Sequence, residues 1–408
     1  MAAVPAMAES ALESTKAVVD TLLESQGAAA APATERERSA DEDPLARQQA
    51  QISEGAETPE AAEEAPNELD LYGSLRVRYR STLGEHGFGD GGSRIGVQGR
   101  YQLWPGRWLF ARAEAGFNLL DELGGLVNGN NPSGGVGDTF FRRLLNVGYE
   151  SPNLFIVLGK TWSVYYQISS FTDRFAGAGG AASGTYNAGT DGGYTGTGRA
   201  DRAVQTRLLV DFLPGRWGIE PFRLNIQLQD GEPIPGIRGY HYGPALGLSA
   251  LLVTRDHFSF GIAYNEATVP DAGDPVLRQR GIDGDARALI FGARWLDDDW
   301  YLATVLARLE NQEATDQGNY FDGWGSELYL QYRLRGRWWL TGGWNWLRPD
   351  SGQPLAGDFR IKYGLIGLRY SIRDFERYLY VNARADHGRD QDGTDAANML
   401  TIGLRWDF

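Results

Sequence analysis

Several stretches of this 408-residue chain have the residue types for chemistry but lack the setting it needs. Gly159-Lys160-Thr161 ends like a phosphate-binding loop, yet Leu154 stands where that motif needs its earlier glycine, and no helix follows. The glycine-rich run 177–184 lacks the strand-to-helix context of a dinucleotide fingerprint. The four histidines, His86, His241, His257 and His387, are scattered without metal-ligand spacing. His241 and His387 fall on predicted loops, but nothing pairs them with a nucleophile and a carboxylate. The expectation is therefore no enzymatic activity, no cofactor, no metal and no nucleic-acid partner. What does recur is charge at alternate positions, with Arg76, Arg78 and Arg80 on one face of a period-two stretch. Cations fixed on a wall that faces water filter ions and polar solutes.

Strands must position them. From Asn67 onward the apolar period is two, as a strand with one apolar and one watered face requires. Leu69, Leu71, Gly73, Leu75, Val77 and Tyr79 alternate with Asp70, Tyr72, Ser74, Arg76, Arg78 and Arg80. The same alternation carries Leu246 to Leu252, Leu328 to Leu334 and Leu379 to Ala383. Its cleanest instance is the end, with Leu400, Ile402, Leu404, Trp406 and Phe408 against Thr401, Gly403, Arg405 and Asp407. Around Arg287 and Arg360 the two faces are not declared. No run of eighteen apolar residues encodes a membrane helix, but alternating strands cross a membrane with a hydrophilic average. The absence of cysteine fits passage through an oxidising compartment, and cytosolic chains without cysteine exist too.

Connections alternate in length. Tight turns are predicted at Pro105-Gly106, Pro152-Asn153, Pro214-Gly215, Arg255-Asp256, Asp297-Asp298, Arg335-Gly336 and Arg373-Asp374. Longer loops fall near 82–92, 120–138, 163–200, 231–242, 268–281, 312–322, 348–358 and 388–397. Seven turns and eight loops join sixteen strands, the pattern of an outer-membrane barrel with short turns at one end and long loops at the other. Trp104, Trp108, Trp217, Trp295, Trp300, Trp338 and Trp339 sit beside the turns, as in an interfacial aromatic girdle.

The loop between Leu154-Phe-Ile-Val-Leu-Gly-Lys-Thr-Trp162 and Ala203-Val-Gln-Thr-Arg-Leu-Leu-Val-Asp-Phe212 is unusual in length, and such loops are commonly functional. It carries Tyr165, Tyr166, Phe171, Phe175, Tyr186 and Tyr194 and few charges, so it should pack against something. Inside a closed barrel that place is the lumen, where it would narrow a pore.

Residues 1–8 read either as the tail of a secretory signal, with Ala6-Met7-Ala8 as a small-x-small cleavage site, or as a cloning remnant. Residues 9–66 form an acidic arm. With Asn67 and Glu68 it holds 15 acidic and 4 basic residues, so 11 of the chain's 14 net negative charges sit there. Leu12, Val19, Leu22 and Leu23 give its start a helical face, and Gly27 to Pro66 is too poor in apolar residues to order itself. The arm is either a short oligomerising or wall-facing helix on a tether, or a solvated tail.

Taken in order, four stretches resemble the Gram-negative general porins, which are trimeric sixteen-stranded diffusion channels. They are Asp70-Leu-Tyr-Gly73, Ser93-Arg-Ile-Gly-Val-Gln-Gly99, Leu158-Gly-Lys-Thr-Trp-Ser-Val-Tyr-Tyr166 with Ser170-Phe-Thr-Asp173, and the terminal Phe408. The resemblance covers about 69–408. It implies an all-β, transmembrane, antiparallel 16-stranded β-barrel over 67–408, with the third loop folded inward as the constriction and the arm in the periplasm. It further implies a homotrimer in the bacterial outer membrane, in contact with its lipids and lipopolysaccharide, and a C-terminal Phe408 read by the barrel assembly machinery.

The family sets basic residues on the wall against carboxylates on the third loop. Arg94, Lys160 and Arg207 match basic positions, and Arg76 follows on the face where Ser74 replaces a common lysine. Arg142 or Arg143 adds a further charge. On the loop, Asp173 matches a Thr-Asp pair and Asp191 is the other available carboxylate. The Pro-Glu-Phe-Gly-Gly run of enteric members is replaced by Arg174-Phe-Ala-Gly-Ala-Gly-Gly180, which leaves the acidic half thin. The implied function is passive diffusion of small hydrophilic solutes and ions. The alternatives are a specific channel for anions or small carboxylates, and a structural tether that uses the arm.

Overall fold

Segments that alternate apolar and polar residues satisfy their backbones only by pairing edge to edge, and here they do so in a closed ring. The computed structural model describes residues 67–118, 140–177, 179–210, 221–254, 257–372 and 377–408. The signal-like start, the acidic arm, the predicted loop 120–138, the turns at 214–215, 255–256 and 373–374, and Trp217 lie outside the described residues.

The first strands are β1 (Glu68–Ser81), β2 (His86–Asp90), β3 (Arg94–Trp104), β4 (Arg107–Phe117), β5 (Phe140–Ser151) and β6 (Leu154–Trp162). After the third loop come β7 (Arg199–Val210), β8 (Phe222–Gln229), β9 (Ala245–Val253), β10 (Phe258–Ala267) and β11 (Ala286–Leu296). The last are β12 (Trp300–Ala314), β13 (Tyr320–Arg335), β14 (Trp338–Pro349), β15 (Ile361–Ser371), β16 (Arg377–Asp386) and β17 (Met399–Asp407). β2 and β3 both pair with β1 and form one interrupted stave, so the seventeen strands make a sixteen-stave antiparallel barrel. At the interruption Gly92 takes φ +96°, and the Asp90 carboxylate accepts from the Ser93 N–H at 2.8 Å. The predicted loop 82–92 is thus a short turn followed by β2, because Asp90 resolves the Gly-Gly break within the strand.

The ring closes where β17 pairs with β1, Ser74 opposite Asp407. Gly73 and Phe408 exchange two backbone hydrogen bonds, 2.8 and 2.9 Å. The Phe408 ring lies where a Cβ on Gly73 would be. Closure removes the free edges that an open sheet would expose.

Outward positions are large and apolar around the ring, among them Leu248, Phe260, Leu302, Leu328, Ile366 and Ile402, all exposed. Water does not tolerate so extensive an apolar surface, whereas hydrocarbon does. Trp104, Trp300 and Trp406 join it, but Trp339 is only 5% exposed and lies under the Arg333 guanidinium at 4.6 Å. The faces that the sequence leaves undeclared are settled at Arg287, which points outward and is ringed by Glu266, Asp285 and Glu310. Arg360 lies beyond the strands in an isolated bridge to Arg389.

The packed interior is the third loop against the wall. Tyr165, Ile168, Phe171 and Ala182 of the loop are fully buried with Ala303, Val305, Ala307 and Leu309 of β12 and with Phe321 and Tyr329 of β13. A second apolar cluster, including Ile234, Ile237, Leu277, Ile282 and Tyr320, holds the neighbouring loops together at the barrel end.

Candidate solute pathway

The third loop leaves β6 at Trp162 and turns inward through a single helical turn, α1 (Tyr166–Ser169). Ser163 fixes the departure. Its N–H donates to the Gly198 carbonyl at 2.8 Å, its hydroxyl donates to the Thr197 carbonyl at 2.6 Å, and it accepts from the Tyr166 N–H at 2.9 Å. That helical turn projects Ile168 into a notch made by Gly261 of β10 and Gly292 of β11, which are cross-strand partners. A Cβ on Gly292 would lie 2.7 Å from Ile168 Cγ2, and one on Gly261 would overlap the same side chain.

Polar bonds finish the seat. The Glu327 carboxylate accepts from the Thr172 hydroxyl at 2.6 Å and the Ala182 N–H at 2.8 Å. Tyr301 donates to the Phe171 carbonyl at 2.7 Å, and Gln312 to the Gly184 carbonyl at 2.9 Å. The tip then reaches the opposite wall, where Asn382 donates to the Ala176 carbonyl and Arg78 to the Gly177 carbonyl at 3.2 Å.

At the loop's base Lys160 and Asp191 meet each other rather than face across an opening. Lys160 Nζ lies 3.0 Å from Asp191 and 2.8 Å from Asp201, and all three are buried. Arg199 adds a contact of 3.6 Å to Asp191. Burial works against the Asp191 charge, but Arg199 and Lys160 outweigh it and hold the carboxyl below its ordinary range. Asp173 accepts from the phenols of Tyr166 at 2.9 Å and Tyr186 at 2.6 Å. Burial, reinforced by the Asp173 charge, pushes both phenols upward, so they stay protonated donors.

The remaining wall is basic. Arg94, Arg112 and Arg143 converge on one carboxylate, Glu114, at 3.8, 3.4 and 2.6 Å. Arg142, by contrast, is mostly exposed and reaches Asp201 at 3.4 Å. Arg76 stands directly opposite Arg405 across the β1–β17 seam, and its Nε donates to Ser74 Oγ at 2.7 Å. Like charges directly opposed across a strand pair destabilise it, so local packing alone does not favour this pair. Arg207 lies lower, stacked on Phe155 at 4.8 Å and donating to Asn225 at 3.0 Å. A cavity of about 160 Å³ opens between the loop and this wall, lined among others by Arg112, Trp162, Tyr166, Gln167 and Arg207.

Sequence reasoning missed Glu114 and Glu327. Each had a signal, since Arg112 sits two residues before Glu114 on the same strand face, and Glu327 is a lone acid among the lumen-facing positions of β13.

No protein-family model matches the chain, and no curated protein does. Solved structures do. An OmpF from Salmonella typhi, in complex with daunomycin, superposes with TM-score 0.66 over 84% of this chain and 98% of its own, at 19% identity. The fold is that of the porins. An anion-selective porin from Comamonas acidovorans gives TM-score 0.61 at 14% identity, covering 84% of this chain and 100% of its own. The outer-membrane channel DcaP of Acinetobacter baumannii gives 0.61 at 12%, covering 85% and 99%. This porin fold therefore extends over the whole of the described barrel.

Proposed function

We propose that this chain is an outer-membrane porin through which small hydrophilic solutes and ions diffuse passively, with loop 163–200 as its constriction. The observation that carries the reading is the loop itself, seated on the wall inside a closed barrel whose outer surface is apolar. The passage left beside it is polar and needs no moving part or energy source. Arg76, Arg94 and Arg207 form its basic side and Asp173 its acidic side. Lys160 and Asp191 act as the tether at the loop's base. Because Glu114 alone answers three arginines, the passage favours anions. Phe408 serves as the assembly signal, the protein assembles as a homotrimer among outer-membrane lipids and lipopolysaccharide, and residues 9–66 lie in the periplasm.

The test is planar-bilayer recording with the purified protein under a salt gradient. Conductance steps in groups of three, with a reversal potential shifted modestly toward the anion, are expected. Absence of any conductance would sink the channel reading.

A further inference from the structure

The lumen's cations are not all treated alike. Most have a carboxylate in contact: Glu114 serves Arg94, Arg112 and Arg143, Asp386 serves Arg384, and Asp407 serves Arg405. Arg78 and Arg80 of β1 have none among the described residues. Arg78 is only 3% exposed, yet its Nε and Nη2 meet no acceptor among the described residues, and neither does Arg80 Nε. Only Arg78 Nη1 is used, on the Gly177 carbonyl of the loop tip.

The strand register gathers more donors at the same place. Arg80 stands opposite Thr401 on β17, and Thr401 stands opposite Asn382 on β16. The Thr401 hydroxyl and Arg384 Nε are also buried without an acceptor among the described residues. Arg76, Arg78 and Arg80 alternate on one strand, so their Cα atoms are spaced by roughly 7 Å and span about 13 Å along the strand, which is itself tilted to the pore axis. The middle one lies level with the loop tip.

Buried guanidinium donors without acceptors are costly unless a partner is provided. A guanidinium fork matches the paired oxygens of phosphate, sulfate or carboxylate. Building on the diffusion reading above, we propose that the β1 arginine column, with Arg384 and Thr401, is a binding site for small oxyanions at the loop tip, along which a multivalent oxyanion is handed from Arg80 past Arg78 to Arg76. The channel would then be saturable for this class of solute while remaining an ordinary pore for chloride.

The experiment is chloride conductance of the full-length protein in planar bilayers, with inorganic phosphate, sulfate or acetate added at constant ionic strength. Phosphate and sulfate are expected to reduce the chloride current saturably, and acetate to do so at higher concentration. In Arg80→Gln, which leaves the Arg78 bond to the loop tip in place, the half-blocking phosphate concentration should rise about tenfold. Arg78→Lys, which keeps charge but loses the fork, should raise it as well. Arg287→Gln, on the outer surface, should not move it. Equal block in wild type and both column variants, or no block by any oxyanion, would overturn the site while leaving the conductance that supports the diffusion reading. Loss of all conductance in wild type would overturn both.

Discussion

Two walls of one barrel use the same strand period for opposite ends. On the β10–β13 side the lumen-facing positions that meet the loop hold Gly261, Gly292, Ala303, Val305 and Ala307, and the Tyr301–Ala307 stretch of β12 is apolar at nearly every position on both faces. On the β1, β3–β5 and β15–β17 side the equivalent positions hold Arg76, Arg78, Arg94, Arg143, Arg369 and Arg405. The first wall receives the body of the loop in an apolar seat, and the second meets it only at the tip, through Arg78 and Asn382. The difference shows that an inward-folded loop needs a dry, close-fitting seat on one wall, whatever charge the other wall carries. A loop whose apolar residues had nowhere to pack would not hold one position inside the barrel.

Filling the notch should break this division most severely. Gly292→Leu places a side chain where Ile168 lies, and overpacking of this kind costs about 1–3 kcal/mol. The barrel's backbone pairing does not depend on the loop, so the loop should leave its seat while the barrel still folds. Single-channel conductance is expected to rise and its open-state noise to grow. A correctly folded variant with wild-type conductance and noise would show that the notch does not hold the loop.

Glu327→Ala tests the polar half of the same seat. It removes the acceptor of the Thr172 hydroxyl and the Ala182 N–H, and a buried donor left unmade costs about 1–3 kcal/mol. Hydrogen exchange at the Ala182 amide should accelerate while the strand amides keep their protection. Unchanged exchange there would place the burden of holding the loop on Ile168, Phe171 and the bonds from Tyr301 and Gln312.

The opposite wall is probed by Glu114→Gln, which withdraws the carboxylate shared by Arg94, Arg112 and Arg143. A unit charge at contact distance in a watery passage is worth about 1 kcal/mol, so the anion-to-cation permeability ratio should rise a few-fold. A shift of the reversal potential toward the cation would contradict the basic character assigned to this side.

Much of this division can be read from the residues. Alternation from Leu69 onward gives the strands and their outward face, the terminal Phe408 marks the closing seam, and the aromatic, weakly charged run 163–200 announces a loop that must pack. The run Tyr301-Leu-Ala-Thr-Val-Leu-Ala307, apolar at nearly every position, also marks where it packs, although only the barrel's curvature shows that the loop reaches it. Charge partners are harder to read. Lys160 and Asp191 are thirty-one positions apart in sequence, and the register shift between Gly159 and Thr161 turns Lys160 toward the loop base. Glu114 acquires three arginines from three strands, a convergence set by register rather than by local pattern. Trp339 points inward by the alternation of its own strand, in phase with the buried Asn345 and Leu347.

The smallest effect expected is that of pH on the loop's base, and it separates this tether from the wall above it. Arg199 and Lys160 hold Asp191 below its ordinary range, so its folded pKa lies under the unfolded value of about 4. A depressed carboxylate contributes stability that is fully present above the unfolded pKa and is lost as pH falls through the folded one. The tether should therefore be complete at every pH from 5 to 8, adding no pH dependence of its own in that window, and should loosen only in acid below about pH 4. Asp191→Asn imitates the protonated form at neutral pH, so its open-channel noise at pH 7 should match that of the wild type in acid. Acid-induced noise that persists undiminished in Asp191→Asn would move the titration to another group and leave Lys160 and Asp201 as a sufficient anchor.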